Sequence, residues 1–212
     1  MELISNLIDI FLHLDKYLGS VINDYGALTY VILFLIVFCE TGLVITPFLP
    51  GDSLIFAAAA FAALGSLNIF ILILVLIVAA ILGDTSNYMI GRYIGPKLIK
   101  KGKFIKQSHL DKTNSFYEKY GGKTIIIARF VPIVRTLAPF VAGLGNMSYG
   151  KFESFNAIGG FLWVTIVASA GYFFSNIPFV QENFSTVVLA IIFISLLPAV
   201  IEFYRSKKKI TE

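Results

Sequence analysis

The chain has 212 residues, of which 57% are hydrophobic and 14% charged, and its mean hydropathy is +0.82. Soluble globular domains average about 25% charged residues, so this composition excludes a soluble protein and predicts an all-α polytopic membrane protein. The single cysteine, Cys39, excludes an internal disulfide and a multi-cysteine zinc site. His13 and His109 lie far apart and form no ligand cluster. We therefore expect neither a metal nor a cofactor.

Positive charge is concentrated in two segments of the chain. Nine of the 17 Lys and Arg residues lie between Arg92 and Lys123, and four more lie between Arg205 and Lys209. Basic patches can bind nucleic acid, but in so apolar a chain the excess of Lys and Arg in cytoplasmic loops is the better explanation. We therefore predict no nucleic-acid partner, and we place segment 92–123 and the basic tail 205–212 in the cytoplasm.

The N-terminal segment 1–22 carries apolar residues at helical spacing, at Ile4, Leu7, Phe11, Leu14 and Leu18. Polar residues fall between them, which predicts an amphipathic helix at the membrane interface. No basic region precedes this segment and Asp9 interrupts it, so it does not resemble a signal peptide. The rest of the chain, 23–204, is predicted to form one membrane domain.

The first apolar part of this domain is interrupted. The run 28–38 is shorter than the roughly 20 residues that a membrane span requires. The next apolar run, 54–64, has the same length as the first and is also too short to span. Segment 40–65 is too short for two full spans, so we predict a re-entrant hairpin that enters from outside. Its break is predicted at Pro47, Pro50 and Gly51.

The next apolar segment, 68–90, is long enough to span and ends at the basic segment, so it runs from outside to inside. Asp84, Asn87 and Tyr88 form a polar stripe on one face of this predicted helix. Two interpretations stay open for the stripe. It either points into a polar cavity or makes hydrogen bonds to a neighbouring helix.

The segment 128–145 reads ARFVPIVRTLAPFVAGLG and places Arg129 and Arg135 in an apolar run. A charge at membrane depth is costly and marks a functional site. Segments 155–174 and 184–204 can each span, and the second ends in the basic tail, so residues 124–150 enter and leave on the cytoplasmic side. We predict a second re-entrant hairpin there, with breaks at Pro132, Pro139 and Gly143.

Each half of the chain is thus predicted to contain a hairpin and a spanning helix, in opposite orientations. The pattern Leu64-Gly65 and Gly91 recurs 80 residues later as Leu144-Gly145 and Gly171. Inverted repeats whose broken helices meet near the midplane are typical of secondary transporters. The predicted architecture is therefore two inverted repeats, preceded by an amphipathic helix and followed by a spanning helix.

If the two hairpins face each other, Glu40 and Asp52 meet Arg129 and Arg135. An arginine fork fits a phosphate or carboxylate group, and a carboxylate in such a cavity can carry a proton. Alternatively, the four residues are ion pairs that lock the hairpins, although burying such pairs adds little stability. A secondary polar cavity is predicted at Asp84, Tyr88, Thr136 and Asn156.

Several other side chains are better explained by structural roles than by function. Trp163 is interpreted as a packing or interface residue, and Lys151 and Glu153 as markers of the membrane surface. Enzyme signatures are missing, because the sequence has no Gly-x-Ser-x-Gly elbow and no phosphate-binding P-loop. Both histidines lie outside the predicted hairpins. We therefore do not expect an enzyme.

Taken together, these motifs resemble the bacterial DedA family, whose shared module is also called the VTT or SNARE-associated domain. The resemblance covers residues 25 to 204 and rests on Glu40-Thr41-Gly42, Pro47-Phe48-Leu49-Pro50-Gly51-Asp52, Gly83-Asp84 with Tyr88, Gly91-Arg92-Tyr93-Ile94-Gly95, and Arg129-Phe130-x-Pro132-x-x-Arg135-Thr136-x-x-Pro139-x-x-Ala142-Gly143 with Met147. It implies a protein of the cytoplasmic membrane that moves phospholipids, either undecaprenyl phosphate or phosphatidylethanolamine, in dependence on the proton motive force. The acidic pair and the arginine pair considered essential in the family match Glu40, Asp52, Arg129 and Arg135.

The leading hypothesis is therefore a flippase in which Arg129 and Arg135 bind the phosphate headgroup while Glu40 or Asp52 exchanges a proton. Its partners would be the lipid, protons and the bilayer, and homo-oligomerisation stays open. One alternative is a proton-coupled antiporter of a small ion, with the arginines tuning the carboxylates. Another is a non-transporting membrane scaffold or sensor in which the charges are structural.

Overall fold

The computed structural model describes residues 14–43, 51–96, 107–145 and 147–178, together with positions 180, 186, 187 and 190. Every element of regular secondary structure in this part of the chain is a helix. The predictions for residues 1–13, for Pro47 and Pro50 and for the tail 205–212 lie outside the described residues, as do those for all but three positions of segment 184–204.

The described elements are α-helices separated by short connections. Their bounds are α1 (Leu14–Tyr25), α2 (Leu28–Gly42), α3 (Gly51–Ala63), α4 (Ile69–Tyr93), α5 (Gln107–Tyr120), α6 (Thr124–Ala128), α7 (Pro132–Leu144) and α8 (Tyr149–Phe174). A 3-10 turn at Gly121–Lys123 joins α5 to α6. The predicted N-terminal helix is present from Leu14 onward and ends at Tyr25, three residues beyond the predicted boundary.

Two of these helices are long and apolar enough to cross a membrane. α4 has 25 residues and α8 has 26, whereas about 20 residues suffice to cross the hydrocarbon core. α8 begins at Tyr149, earlier than the predicted Phe155. Both helices leave large apolar side chains exposed, as lipid-facing surfaces do: Phe70, Leu74, Val78 and Leu82 on α4, and Ile158, Phe161, Leu162, Ile166 and Phe173 on α8.

The helices α3 and α7 are short and buried. Each has 13 residues and is therefore about 20 Å long, less than the roughly 30 Å of a bilayer core. In α3 the buried residues are Gly51, Ser53, Leu54, Ile55, Phe56, Ala57, Ala58, Ala59, Ala60 and Ala62. In α7 they include Val134, Thr136, Leu137, Ala138, Phe140, Val141 and Ala142. Other parts of the protein therefore surround most of both helices.

Packing divides the chain into two compact units. The first unit comprises residues 1–33, 50–74 and 165–212, and the second unit comprises 34–49 and 75–164. The helices α2, α4 and α8 each contribute one part to each unit. In the first unit, the backbone N–H of Asn68 donates a 2.6 Å hydrogen bond to the Tyr30 hydroxyl, which ties the start of α4 to α2.

In each unit a glycine of a long helix contacts the backbone of a short helix. In the second unit, Gly91 of α4 lies against Phe140 of α7, where an added Cβ would stand 2.1 Å from the carbonyl oxygen. In the first unit, Gly171 of α8 lies against Phe56 of α3, where an added Cβ would stand 2.2 Å from the carbonyl oxygen. Small residues permit such close approach of helices in membrane proteins.

In segment 124–150, predicted as the second hairpin, the chain breaks just before α7. The breaks predicted at Pro139 and Gly143 are therefore wrong. The chain turns at 129–131, Val131 is extended (φ −122°, ψ 102°), and Pro132 begins α7, which follows from the conformational preferences before and at proline. Pro139 lies inside α7 without ending it, since the packed neighbours hold the helix together. Gly143 also lies inside α7 and contacts the Tyr88 carbonyl of α4.

Candidate functional site

The second unit contains four charged side chains that form two ion pairs among apolar neighbours. Arg129, in the turn after α6, has its Nη2 atom 2.7 Å from Oδ2 of Asp84 in α4. Arg135, in the first turn of α7, has its Nη2 atom 2.6 Å from Oε1 of Glu40 near the end of α2. We call these four residues the arginine site. Three segments far apart in sequence meet there.

The ion pairs differ from the sequence prediction in one respect. The first hairpin segment was expected to supply both acids, but Arg129 pairs with Asp84 of the spanning helix α4. Glu40 of the predicted acidic pair belongs to the arginine site. Asp52 lies in the first turn of α3, in the first unit, and is half-buried.

Arg129 is held firmly, yet part of its donor set is unused. Its side chain is 1% exposed, and Nη2 also donates a 2.6 Å hydrogen bond to Oδ1 of Asn156. Among the described residues, the buried Nε and Nη1 atoms of Arg129 have no hydrogen-bond partner. Gly159 of α8 provides the space, because a Cβ there would stand 3.1 Å from Nε. The site therefore contains a buried cation with N–H groups available to an acceptor.

Trp163 of α8 contacts both guanidinium groups. Its ring centre lies 5.8 Å from the central carbon of Arg129 and 5.3 Å from that of Arg135, within the range of cation–π attraction. The indole is buried, so these contacts are shielded from water. The sequence indicated a packing or interface role for Trp163, since cation–π contact depends on which helix faces meet.

The side chain of Asn87 joins three helices. Its Nδ2 atom donates hydrogen bonds to the carbonyl oxygens of Thr41 in α2, at 3.1 Å, and Thr136 in α7, at 2.9 Å. Thr136, predicted to line a polar cavity, thus accepts this hydrogen bond through its backbone. Asn87 of the α4 stripe therefore makes hydrogen bonds to neighbouring helices. Asp84 of the same stripe forms an ion pair with Arg129.

Tyr88 also bonds between helices. Its hydroxyl donates to the carbonyl oxygen of Met147, just before α8, and accepts a 3.0 Å hydrogen bond from Nη1 of Arg92. Its ring stacks on Phe152 of α8 at 4.4 Å between centroids. Tyr88 therefore fixes α4 against α8.

Outside the predicted spans, the half-buried phenol of Tyr117 links α5 to α7. The Tyr117 hydroxyl donates a 2.8 Å hydrogen bond to the carbonyl oxygen of Ala138. Burial raises the pKa of Tyr117 well above its ordinary value, with the charge of Asp84 acting in the same direction. The phenol therefore stays protonated and keeps its donor at physiological pH.

The described residues contain no group of three or more His, Cys, Asp or Glu side chains arranged to hold a metal ion. Two polar residues that the sequence did not assign to the arginine site lie beside it. Thr85 of α4 and Glu153 of α8 are hydrogen-bonded at 2.9 Å. The proximity of Thr85 to Asp84 in the chain was the available signal, whereas nothing in the sequence linked Glu153 to it.

Comparison with known proteins places the chain in a family. The sequence model of the VTT domain matches residues 49–173, more than half of the chain. Protein DedA of Escherichia coli K12 is 55% identical over 212 residues, which cover 98% of this chain and 97% of that protein. The chain belongs to the DedA family.

Other DedA-family relatives identify the cellular setting. A protein of Mycobacterium leprae described as an uncharacterized membrane protein is 46% identical over 179 residues, covering 82% of this chain and 80% of the relative. The inner membrane protein YghB of E. coli K12 is 35% identical over 189 residues, covering 84% and 86%. No solved structure matches the chain. This DedA-family chain is therefore a membrane protein, as its composition indicates.

Replacing Trp163 by leucine tests whether the indole stabilises the DedA-family arginine site through cation–π contact. We expect Trp163→Leu to lower the free energy of unfolding by about 0.5–2 kcal/mol more than Trp163→Phe, because phenylalanine keeps an aromatic face for the two cations. Reversible unfolding in mixed micelles measures both variants. Equal destabilisation would mean that Trp163 acts through its volume alone.

Proposed function

We propose that this protein is a phospholipid translocase that moves a lipid with a phosphate headgroup across the cytoplasmic membrane, in dependence on the proton motive force. Undecaprenyl phosphate and phosphatidylethanolamine are the substrates that we propose to test. The observation that carries the proposal is Arg129, buried in an apolar protein with Nε and Nη1 lacking a hydrogen-bond partner among the described residues. A guanidinium stays charged and matches phosphate oxygens with its planar fork.

The two arginines differ in accessibility, which suggests an order of contact. The Arg135 side chain is 13% exposed and that of Arg129 is 1% exposed. The headgroup would meet Arg135 first and then Arg129, with Trp163 keeping both guanidiniums oriented. The hydrocarbon tail would remain in lipid, because only the charged headgroup requires a polar path.

Proton coupling follows from competition for the arginines. Glu40 and Asp84 neutralise the same guanidinium groups that a phosphate would bind. Protonation of a carboxylate weakens its ion pair and leaves the arginine available, so phosphate uptake accompanies proton uptake. We therefore expect headgroup binding to strengthen as pH falls. Asp52, in the first unit, remains a second proposed proton carrier.

The proposed architecture is a pair of inverted repeats with re-entrant hairpins. Three observations support it. The helices α3 and α7 have the same length and are both buried. Gly91 and Gly171 stand 80 residues apart, and each contacts a phenylalanine carbonyl of a short helix. Repeats of this kind place substrate sites where broken helices meet. In this proposal, segment 92–123 and the C-terminus are cytoplasmic.

Reconstitution into liposomes tests the proposal. Labelled phosphatidylethanolamine and undecaprenyl phosphate are followed across the bilayer with and without a pH gradient. We expect the gradient to drive one lipid and Arg135→Ala to abolish the movement. Movement of many lipids without a gradient would indicate a scramblase. No movement by folded wild-type protein would refute lipid transport.

Arg129→Lys separates phosphate binding from simple charge compensation. Lysine keeps the positive charge but lacks the fork, so loss of one charge-assisted hydrogen bond should lower lipid transport about tenfold or more. Transport measured at equal protein density gives the ratio. In a proton-coupled small-ion antiporter, where the arginine only compensates charge, this variant would keep most of its activity.

The observed ion pairs favour a second candidate, a non-transporting scaffold or sensor. In that case the pairs Arg129–Asp84 and Arg135–Glu40 lock helices together. Neutralising one member would destabilise the protein, and neutralising both members of a pair would restore stability and function together. Translocation requires the arginines themselves, so restored stability without restored transport would favour the lipid translocase.

A further inference from the structure

A third carboxylate, Glu153, is connected to the arginine site by polar side chains. Glu153 lies in the second turn of α8 and is half-buried. Its Oε2 atom is 2.9 Å from Oγ1 of Thr85. The Thr85 Oγ1 atom also lies 3.4 Å from Nδ2 of Asn156, which donates to it. Asn156 in turn accepts the 2.6 Å hydrogen bond from Arg129. A continuous chain of side chains thus leads from a partly exposed carboxylate to a buried guanidinium.

The hydroxyl of Thr85 has two acceptors for one proton. Its Oγ1 atom lies 2.8 Å from the carbonyl oxygen of Ile81 and 2.9 Å from Oε2 of Glu153. When Glu153 is ionised, the hydroxyl donates to Glu153. When Glu153 is protonated, its O–H donates to Oγ1, and the hydroxyl donates to Ile81. The same atomic positions therefore satisfy both protonation states.

The charge of Glu153 acts on the arginine site. Asp84 of α4 and Arg129 both interact electrostatically with Glu153, and Arg135 of α7 interacts with both of them. On its own helix, Lys151 is exposed. The carboxylate of Glu153 thus contributes negative charge near Arg129. Protonation of Glu153 therefore leaves more of the positive charge of Arg129 uncompensated.

We propose that Glu153 is a proton-binding residue of the arginine site, which exchanges a proton with water at its half-exposed edge and acts on Arg129 through Thr85 and Asn156. The proton comes from water and returns to water, and no covalent bond to carbon changes. The effect on transport rests on the proposed function, in which Arg129 binds phosphate. The titration of Glu153 does not rest on it.

Infrared difference spectroscopy of the protein in liposomes, between acid and alkaline pH, tests the titration. Protonated glutamate has a carboxyl band that glutamine lacks. We expect Glu153→Gln to lose one titrating carboxyl band of the wild type. The matched control is Glu118→Gln, which makes the same change at an exposed position of α5 and should keep that band. An unchanged band in Glu153→Gln would overturn the proposal.

The pH profile of lipid movement tests the coupling. Glutamine imitates protonated glutamic acid, so Glu153→Gln should lose less activity than the wild type as pH rises. A wild-type profile in Glu153→Gln would overturn the coupling. If wild-type protein moves no lipid while the band is still lost in Glu153→Gln, the proposed function fails and the proton site stands.

Thr85→Val provides a second variant that keeps the carboxylate. Valine removes the hydroxyl that bonds to Glu153 but preserves the side-chain shape. We expect the carboxyl band to persist at a shifted frequency, because its hydrogen-bond partner is gone. An unshifted band would contradict the assigned Thr85 contact and overturn the proposed connection to Arg129.

Discussion

Asp84→Asn is expected to lower the free energy of unfolding by about 3–5 kcal/mol, the usual effect of removing one member of a buried ion pair. Asparagine has the shape of aspartate but no charge, so the change leaves Arg129 buried without its ion-pair partner. The side chains of this pair are 1% and 3% exposed, and water therefore cannot compensate. Reversible unfolding in mixed micelles, at one lipid composition, measures the loss independently of transport.

Two further variants separate charge from packing. Glu40→Gln breaks the other ion pair, in which the Arg135 side chain is 13% exposed, so water can partly replace the carboxylate and we expect a smaller loss. Combining Asp84→Asn with Arg129→Gln removes both charges of the buried pair and should recover most of the stability. Equal losses in the two single variants, without recovery in the double variant, would contradict this electrostatic account.

The double variant also distinguishes the two candidate functions. A protein in which the ion pairs are purely structural regains function when it regains stability. A translocase that binds phosphate through Arg129 becomes stable but stays inactive. Stability and transport are different measurements on the same preparation, so one experiment compares both functions.

The sequence predicted the arginine site because charged residues are rare in apolar runs. Arg129, Arg135 and Glu40 stood out for this reason, and the structure brings all three together in the second unit. The partner of Arg129 could not be predicted in the same way. Asp84 is 45 positions away in the chain, and the pairing depends on the rotation of α4 against the turn after α6, which no local pattern specifies.

Helix boundaries were predictable where local chemistry decides them. Pro132 begins α7 because its fixed φ suits the first helical turn, and the basic segment follows the end of α4. Pro139 was misleading, since the same residue that breaks an exposed helix is tolerated inside a packed one. The contacts of Trp163 and Glu153 likewise depend on tertiary packing, so their sequence interpretations as packing and surface residues were incomplete.

Gly91→Ala is expected to destabilise the protein by about 1–3 kcal/mol, the usual effect of overpacking. The added methyl group would stand 2.1 Å from the Phe140 carbonyl oxygen, and a backbone atom cannot rotate away as a side chain can. Alanine favours a helix over glycine by about 0.5–1 kcal/mol, which is too little to offset a collision between α4 and α7. Unfolding in mixed micelles measures the net effect.

Gly150→Ala is the matched control for Gly91→Ala, and Gly171→Ala tests the equivalent contact in the first unit. Gly150 has no neighbouring atom within 4 Å of an added Cβ, so alanine there should be neutral or slightly stabilising. Gly171 contacts Phe56 in the first unit as Gly91 contacts Phe140 in the second, and Gly171→Ala should therefore lose as much stability as Gly91→Ala. A pair of equal losses is expected if the two contacts are counterparts in an inverted repeat. A large loss at Gly91 with none at Gly171 would show that the contacts are not equivalent and would remove that support for the repeat.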